Sequence, residues 1–274
     1  MVELDYLVIG HVTRDLVGGV FAIGGTVSYA ARTALALGCR VGVVTSASPD
    51  LDLSRALDGI LVTLHPAAAT TTFENVYTPN GRRQALHTVA ESLLPEMVPA
   101  DWRATIVHLG PVARECASEL AGAFEDSFVG VTPQGWMRSW DRAGRVSGCR
   151  WEEAELWLAR ADGVVLSEED LAGDESLIAQ YAAQTQVLVV TRGAAGCTVY
   201  ADGRSRHFPA VAADEVDPTG AGDVFAAAFF VQLQLSGDPW QSARFANRVA
   251  AYSVTRAGLA GTPTLDDLRF GDLR

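Results

Sequence analysis

The sequence predicts an α/β fold built on one mostly parallel, doubly wound sheet with helices on both faces. Three observations carry that expectation. Between residues 105 and 190, short apolar runs alternate with helical patterns, the rhythm of β-α-β units. The opening run Tyr6-Leu7-Val8-Ile9 is continuously apolar and stops at Gly10, as a strand buried on both faces would. Near the far end, Asp217-Pro218-Thr219-Gly220-Ala221-Gly222-Asp223 leads into a long apolar run that ends at Gly237. The 274 residues, 49% of them hydrophobic, suffice for one large core, so residues 1–274 are read as a single domain.

After the first strand, residues 11–25 are too short and glycine-rich for a helix and predict a small hairpin turning at Gly18-Gly19. Thr26 or Ser28 then caps a helix carrying Tyr29, Ala30, Ala31, Ala34 and Leu35, closed by Gly38. Arg40 to Thr45 reads as the next strand. From 67 to 94 the pattern changes: Thr70 to Thr78 alternates, Pro79-Asn80-Gly81 turns the chain, and Arg82 to Val89 returns, an antiparallel hairpin apart from the parallel core. Strands follow at 105–109, 127–131, 163–166 and 186–190, with helices expected over 114–124, 151–161 and 175–184. Cys197 to Tyr200 is a further strand.

Composition excludes several classes of function. A net charge of −12 argues against nucleic acid or an anionic membrane as partner. No run of eighteen apolar residues predicts a membrane span, and the acidic opening with Glu3 and Asp5 does not read as a signal peptide, so a cytoplasmic protein is expected. Cys39, Cys116, Cys149 and Cys197 are scattered and read as small buried hydrophobes. All 21 basic Lys+Arg residues are arginine. Without lysine there is no Walker A loop, no protein-kinase strand lysine and no Schiff base. Phosphate would have to be handled by backbone N–H groups, arginine and metal. The five histidines show no ligand spacing, and the absence of a Gly-x-Gly-x-x-Gly fingerprint leaves a dinucleotide oxidoreductase poorly supported.

The stretch from Asp217 to Asp223 is the densest in chemistry. Pro218 stops a helix from entering, so the helix begins near Gly220 and opens with uncrowded N–H groups at the positive end of its dipole. Asp223, in its first turn, either complements that dipole or acts as a general base toward a hydroxyl attacking a phosphate.

The run resembles the signature of the ribokinase-like (PfkB) carbohydrate kinases, Asp-Thr-x-Gly-Ala-Gly-Asp before an apolar helix, with Pro218 in place of Thr. The resemblance implies that Asp223 is the catalytic base and that Gly220, Ala221 and Gly222 form an anion hole. The amino-terminal block is similar too: a strand ending in Gly, an Asp, and a Gly-Gly pair opening a helix. It implies that Asp15 holds substrate hydroxyls and that Gly24 and Gly25 admit the sugar to the backbone. Tyr29 lines the pocket where many members carry Asn. The hairpins at about 11–25 and 67–94 become a small β lid over the substrate.

Further matches follow in order along the chain. Thr132-Pro133-Gln134 to Arg138 is similar to an Asp-Pro-Asn…Arg stretch, with Thr132 and Gln134 substituted; Arg138 contacts substrate or phosphate, or forms a surface ion pair. Ser167 and Asp170 stand where the family has Asn-x-x-Glu near Mg²⁺, although Glu168, Glu169 and Asp170 also suit a helix start. Arg192, Gly193 and Gly196 resemble the nucleotide loop, Asn247 the adenine pocket, and Asp217 a monovalent-cation site. The resemblance implies an ATP- and Mg²⁺-dependent kinase, monomer or homodimer, for a small sugar or polyol, possibly inositol-like. A nucleoside kinase and a catalytically silent sugar- or nucleotide-binding protein on the same fold are the alternatives.

Overall fold

The computed structural model describes residues 1–78 and 81–269. Pro79 and Asn80, the expected turn of the second hairpin, lie outside the described residues. Fifteen strands occur among the described residues: β1 (Val2–Ile9), β2 (Thr13–Val17), β3 (Val20–Gly24), β4 (Val41–Ala47), β5 (Leu61–Pro66), β6 (Thr72–Thr78), β7 (Gly81–Thr88), β8 (Trp102–Leu109), β9 (Phe128–Val131), β10 (Arg138–Trp140), β11 (Val146–Gly148), β12 (Gly163–Ser167), β13 (Val187–Thr191), β14 (Cys197–Ala201) and β15 (Arg204–Phe208). The helices that matter below are α1 (Thr26–Ala36), α2 (Ala154–Leu158), α3 (Ser176–Ala182), α4 (Ala221–Ser236) and α5 (Pro239–Ser253).

The large sheet runs β15-β14-β13-β12-β9-β8-β1-β4-β5. Its pairs from β13 across to β5 are parallel, and β14 and β15 add an antiparallel edge. The central strands are buried on both faces, which is why they read as unbroken apolar runs. One core lies between the sheet and α1, α4 and α5, where Phe225, Phe229 and Phe230 are buried. The other contains a tryptophan stack: Trp136 lies 4.1 Å from Trp157 and 5.6 Å from Trp151, ring centre to ring centre. The doubly wound expectation holds.

The smaller sheet has the order β3-β2-β6-β7. Its two hairpins are joined by parallel pairing of β2 with β6, from Arg14 opposite Thr72 to Leu16 opposite Glu74. Gly18 and Gly19 both take positive φ, 57° and 86°, which lets the first hairpin turn in two residues. The lid is therefore one sheet made from two distant pieces of chain.

The helix expected over 114–124 does not form; only a 3-10 turn at Ser118–Gly122 appears there. Long-range pairing takes the backbone instead. Leu93 N–H donates to Glu115 O, and Ala117 N–H to Leu93 O. The buried Glu115 carboxylate also accepts the amides of His11, Val112 and Ala113. The helices expected over 151–161 and 175–184 shrink to α2 and α3. Strands β5, β15 and the β10–β11 hairpin were not anticipated.

The tryptophan stack gives a test. Trp157 is buried, and its Nε1 has no hydrogen-bond partner among the described residues. Trp157→Ala should cost about 3–5 kcal/mol in urea unfolding. Trp157→Phe, which keeps a ring and removes the orphaned N–H, should cost less than about 1.5 kcal/mol.

Candidate active site

The site gathers where the carboxyl ends of β1, β8, β9, β12 and β13 meet the first turn of α4. Its floor is the turn before that helix. Gly220 adopts φ 79°, open to glycine, and a side chain there would collide with the Tyr29 ring. Tyr29, expected in the substrate pocket, is instead buried under this turn. The turn is pinned on its other side by Asp217, whose carboxylate accepts N–H from Thr219 at 2.9 Å and from Gly258 at 2.8 Å. Burial works to raise the Asp217 pKa, but these hydrogen bonds outweigh it and hold the carboxyl below its ordinary value. That backbone work is what the structure gives the residue expected at a cation site.

Within the turn, Ala221 N–H donates to Pro218 O at 3.1 Å and Val224 N–H to Gly220 O at 2.9 Å. The Ala221 amide, expected in the anion hole, is thus engaged locally. Helix geometry points the Gly222 and Asp223 amides outward between them, and Gly222 is exposed with nothing crowding it.

Asp223 stands at the centre of this arrangement. Burial drives its pKa up from 3.8 to about 6. A hydrogen bond from the Thr26 hydroxyl and the charge of Arg138 pull the other way, while Asp170 and Asp15 push it further up. The chain therefore brings together groups from α1, β10, the segment after β12 and the lid. Arg138 also lies over the Phe73 ring of β6, 5.8 Å from its centre, so it reaches from the site to the lid. Asp15 accepts a hydrogen bond from Thr13 Oγ1 at 2.9 Å. Its other carboxylate oxygen fills the space that a side chain on Gly24 would take, and a side chain on Gly25 would strike His11 O.

The remaining expected residues divide between open surface and internal support. Ser167 Oγ accepts Glu169 N–H and Asp170 Oδ2 accepts Ser167 N–H at 2.8 Å, a capping box on the 3-10 turn Glu168–Leu171. The acidic-cap alternative is thus realised, with Asp170 still close enough to act on Asp223. Arg192 reaches Glu168 at 3.2 Å and Thr198 at 2.8 Å. Gly193 takes φ 50° with open space where a side chain would be, whereas Gly196 packs against the end of β15. Asn247 Nδ2 donates to Phe208 O and Pro209 O, tying α5 to the chain after β15.

Residues 151–265 match the model of the pfkB family carbohydrate kinases. A solved pyrophosphate-dependent kinase in the ribokinase family, complexed with a pyrophosphate analog and myo-inositol, superposes with a TM-score of 0.81. That superposition is at 24% identity and covers 96% of this chain and 98% of that one.

The carboxy-terminal stretch 151–265 thus resembles the pfkB carbohydrate kinases, and the chain as a whole shares the fold of its ribokinase-family neighbour.

Two curated relatives are also similar to the chain. A fructokinase from Klebsiella pneumoniae is 36% identical over 127 residues, 41% of this chain and 41% of that protein, so well under two thirds of the fructokinase is spanned. A cytidine kinase from Thermococcus kodakarensis is 28% identical over 248 residues, 82% of this chain and 87% of that protein.

Sequence reasoning missed Thr26 as the partner of Asp223, having read it only as a candidate cap; α1 begins after Gly25 with no side-chain cap.

The raised pKa fixes a sign. Asp223 binds its proton more tightly in the fold than in the unfolded chain. Its contribution to stability is therefore full below about pH 4 and is lost as pH rises through about 6. Asp223→Asn should melt with the native protein at pH 4 and above it at pH 8, by on the order of 1–3 kcal/mol in stability. Melting temperatures measured across pH check both sign and window. A mutant less stable than the native protein at pH 8 would contradict it.

Proposed function

We propose that the chain is a phosphotransferase that phosphorylates a hydroxyl of a small sugar or polyol, with Asp223 as general base. The observation that carries this reading is Asp223 itself: a carboxylate in the first turn of α4 whose pKa is pushed up to about 6, near working pH. Thr26 and Arg138 hold it on the ionised side of neutrality, and the outward amides of the same turn suit an oxyanion. Asp15 and the glycines beside it offer an acceptor for further substrate hydroxyls. Arg138 supplies the fixed positive charge between substrate and phosphoryl group.

ATP with Mg²⁺ is the proposed donor, as the family implies. Mg²⁺ keeps several waters and takes one or two protein carboxylates together with the donor's phosphates. Among the described residues no cluster of three or more His, Cys, Asp or Glu side chains would hold a metal without such help. Asp170, near Asp223, fits the part of the protein carboxylate, and the ion would neutralise phosphate charge. The open approach over Gly193 suits the rest of the donor. Pyrophosphate is a second donor to test, because a structural neighbour that shares the fold across 96% of this chain is pyrophosphate-dependent. That neighbour's myo-inositol supports a cyclic polyol among the acceptors. The cytidine kinase match, which reaches across 82% of the chain, supports a nucleoside as the second acceptor class.

The test is turnover with ATP or pyrophosphate and Mg²⁺ over pentoses, hexoses, inositols and nucleosides. One acceptor should be phosphorylated, and Asp223→Asn should lower kcat on it by about 100- to 10,000-fold. Full activity in Asp223→Asn would sink the mechanism. Binding without turnover by either donor would favour a silent binding protein.

A further inference from the structure

Three polar side chains form a buried row across the large sheet beneath this site. Tyr6 in β1, His108 in β8 and Thr132 just past β9 lie on adjacent strands. The register, Val8 opposite His108 and His108 opposite Gly130, puts all three on the face covered by α4. Tyr6 Oη is 2.7 Å from His108 Nδ1, and His108 Nε2 is 2.9 Å from Thr132 Oγ1. The His108 ring meets Phe230 of α4 edge-on, 5.1 Å between centres. Nothing in the phosphotransfer reading uses this row.

The protons of the row can be assigned. Tyr6 is 0% exposed, the only hydrogen-bond partner of its phenol among the described residues is His108, and burial pushes its pKa well above the ordinary value, so it keeps its proton. An O–H buried without an acceptor is costly, so the phenol donates to Nδ1. Burial also pulls His108 down to about 3, leaving a neutral ring with one N–H. That hydrogen must be on Nε2, and it is given to Thr132. The Thr132 hydroxyl has then accepted one bond and retains its own hydrogen to give. It does not cap the 3-10 turn that follows it. Thr132 is 7% exposed and adjoins Gly110, whose missing side chain would touch both Thr132 Oγ1 and Thr26, the residue bonded to Asp223.

We propose that Thr132 is a specificity-determining hydrogen-bond donor of fixed direction, which recognises an acceptor oxygen of the substrate beside Asp223. Tyr6 and His108 are the positioning residues that set its direction. The proposal rests on the phosphotransfer reading for its substrate, but the proton order stands on the row alone. A carboxylate at this position would impose the opposite preference, for a group that donates. Thr132 therefore turns the pocket toward oxygens that are free to accept.

Two measurements on the full chain separate the claims. With ¹⁵N-labelled histidine, long-range proton–nitrogen spectra between pH 5 and 8 should show His108 neutral with its hydrogen on Nε2. A hydrogen on Nδ1 would overturn the proposal whatever the activity. On the acceptor that turns over best, Thr132→Val should raise KM by about 10- to 100-fold with kcat changed less than about threefold. Thr132→Ser, which keeps the hydroxyl, should restore KM to within about threefold of the native value. Tyr6→Phe should raise KM in the same direction and blur the histidine spectrum into both tautomers. An unchanged KM in Thr132→Val, or a Thr132→Ser as impaired as Val, would overturn it. If no acceptor turns over, the phosphotransfer reading fails separately. The donor role is then read from the melting-temperature rise given by myo-inositol or cytidine, which Thr132→Val should abolish and Thr132→Ser retain. No rise with the native protein would end the claim of substrate recognition.

Discussion

Two backbone amides held by one carboxylate organise the active end of the molecule. Asp217 accepts Thr219 N–H and Gly258 N–H, while Val216 and Asp217 donate their own amides to Val254 O beyond the end of α5. These bonds fasten the turn before α4 to the end of the neighbouring helix. The turn then passes through Gly220 in a left-handed conformation with the Tyr29 ring packed against it. No residue with a side chain fits between that ring and that backbone. The position of Asp223, two residues into the helix, follows from this clamp. α4 itself is mostly apolar and buried without a break from Val224 to Val231, so it behaves as a fixed post rather than a surface helix.

What the clamp achieves is electrostatic. A carboxylate near neutral pKa needs enough burial to resist ionisation and enough partners to permit it. Here burial is the larger influence. Thr26 and Arg138 offset part of it, and the acids at positions 15 and 170 restore some of what those two remove. The four partners come from separate parts of the chain, so the tuning exists only in the assembled fold. The lid participates through Asp15 in β2 and through Phe73 in β6 beneath Arg138.

Much of this was legible in the sequence because it is written locally. Buried parallel strands leave unbroken apolar runs, and the αL glycine before α4 is announced by Pro218 and Gly220. The Gly18-Gly19 hairpin is a local signal of the same kind. The edge strand β15 was equally available, since Asp202-Gly203 between apolar Tyr200-Ala201 and the following strand marks a two-residue turn, with positive φ at both residues. What could not be read were contacts between distant segments. The 114–124 segment has helical composition, yet its backbone pairs with Leu93, which gives its amide to Glu115 O and takes that of Ala117. Tyr29 looks like a pocket residue until the Gly220 turn is folded onto it. Asn247 bonds Phe208 O and Pro209 O, a contact between distant segments that is invisible in sequence. The Tyr6–His108–Thr132 row depends on strand order β9-β8-β1, which no local pattern specifies.

The most direct test of the account is the pH dependence of kcat/KM for the native protein and Thr26→Val on the acceptor that turns over best. The account predicts a single acid limb near pH 6 in the native protein, because Asp223 must be ionised to take a proton. Thr26→Val, which removes a hydrogen bond to the carboxylate, should move that limb upward by about one unit. A limb that stays in place in Thr26→Val would contradict the claim that Asp223, tuned by Thr26, is the base.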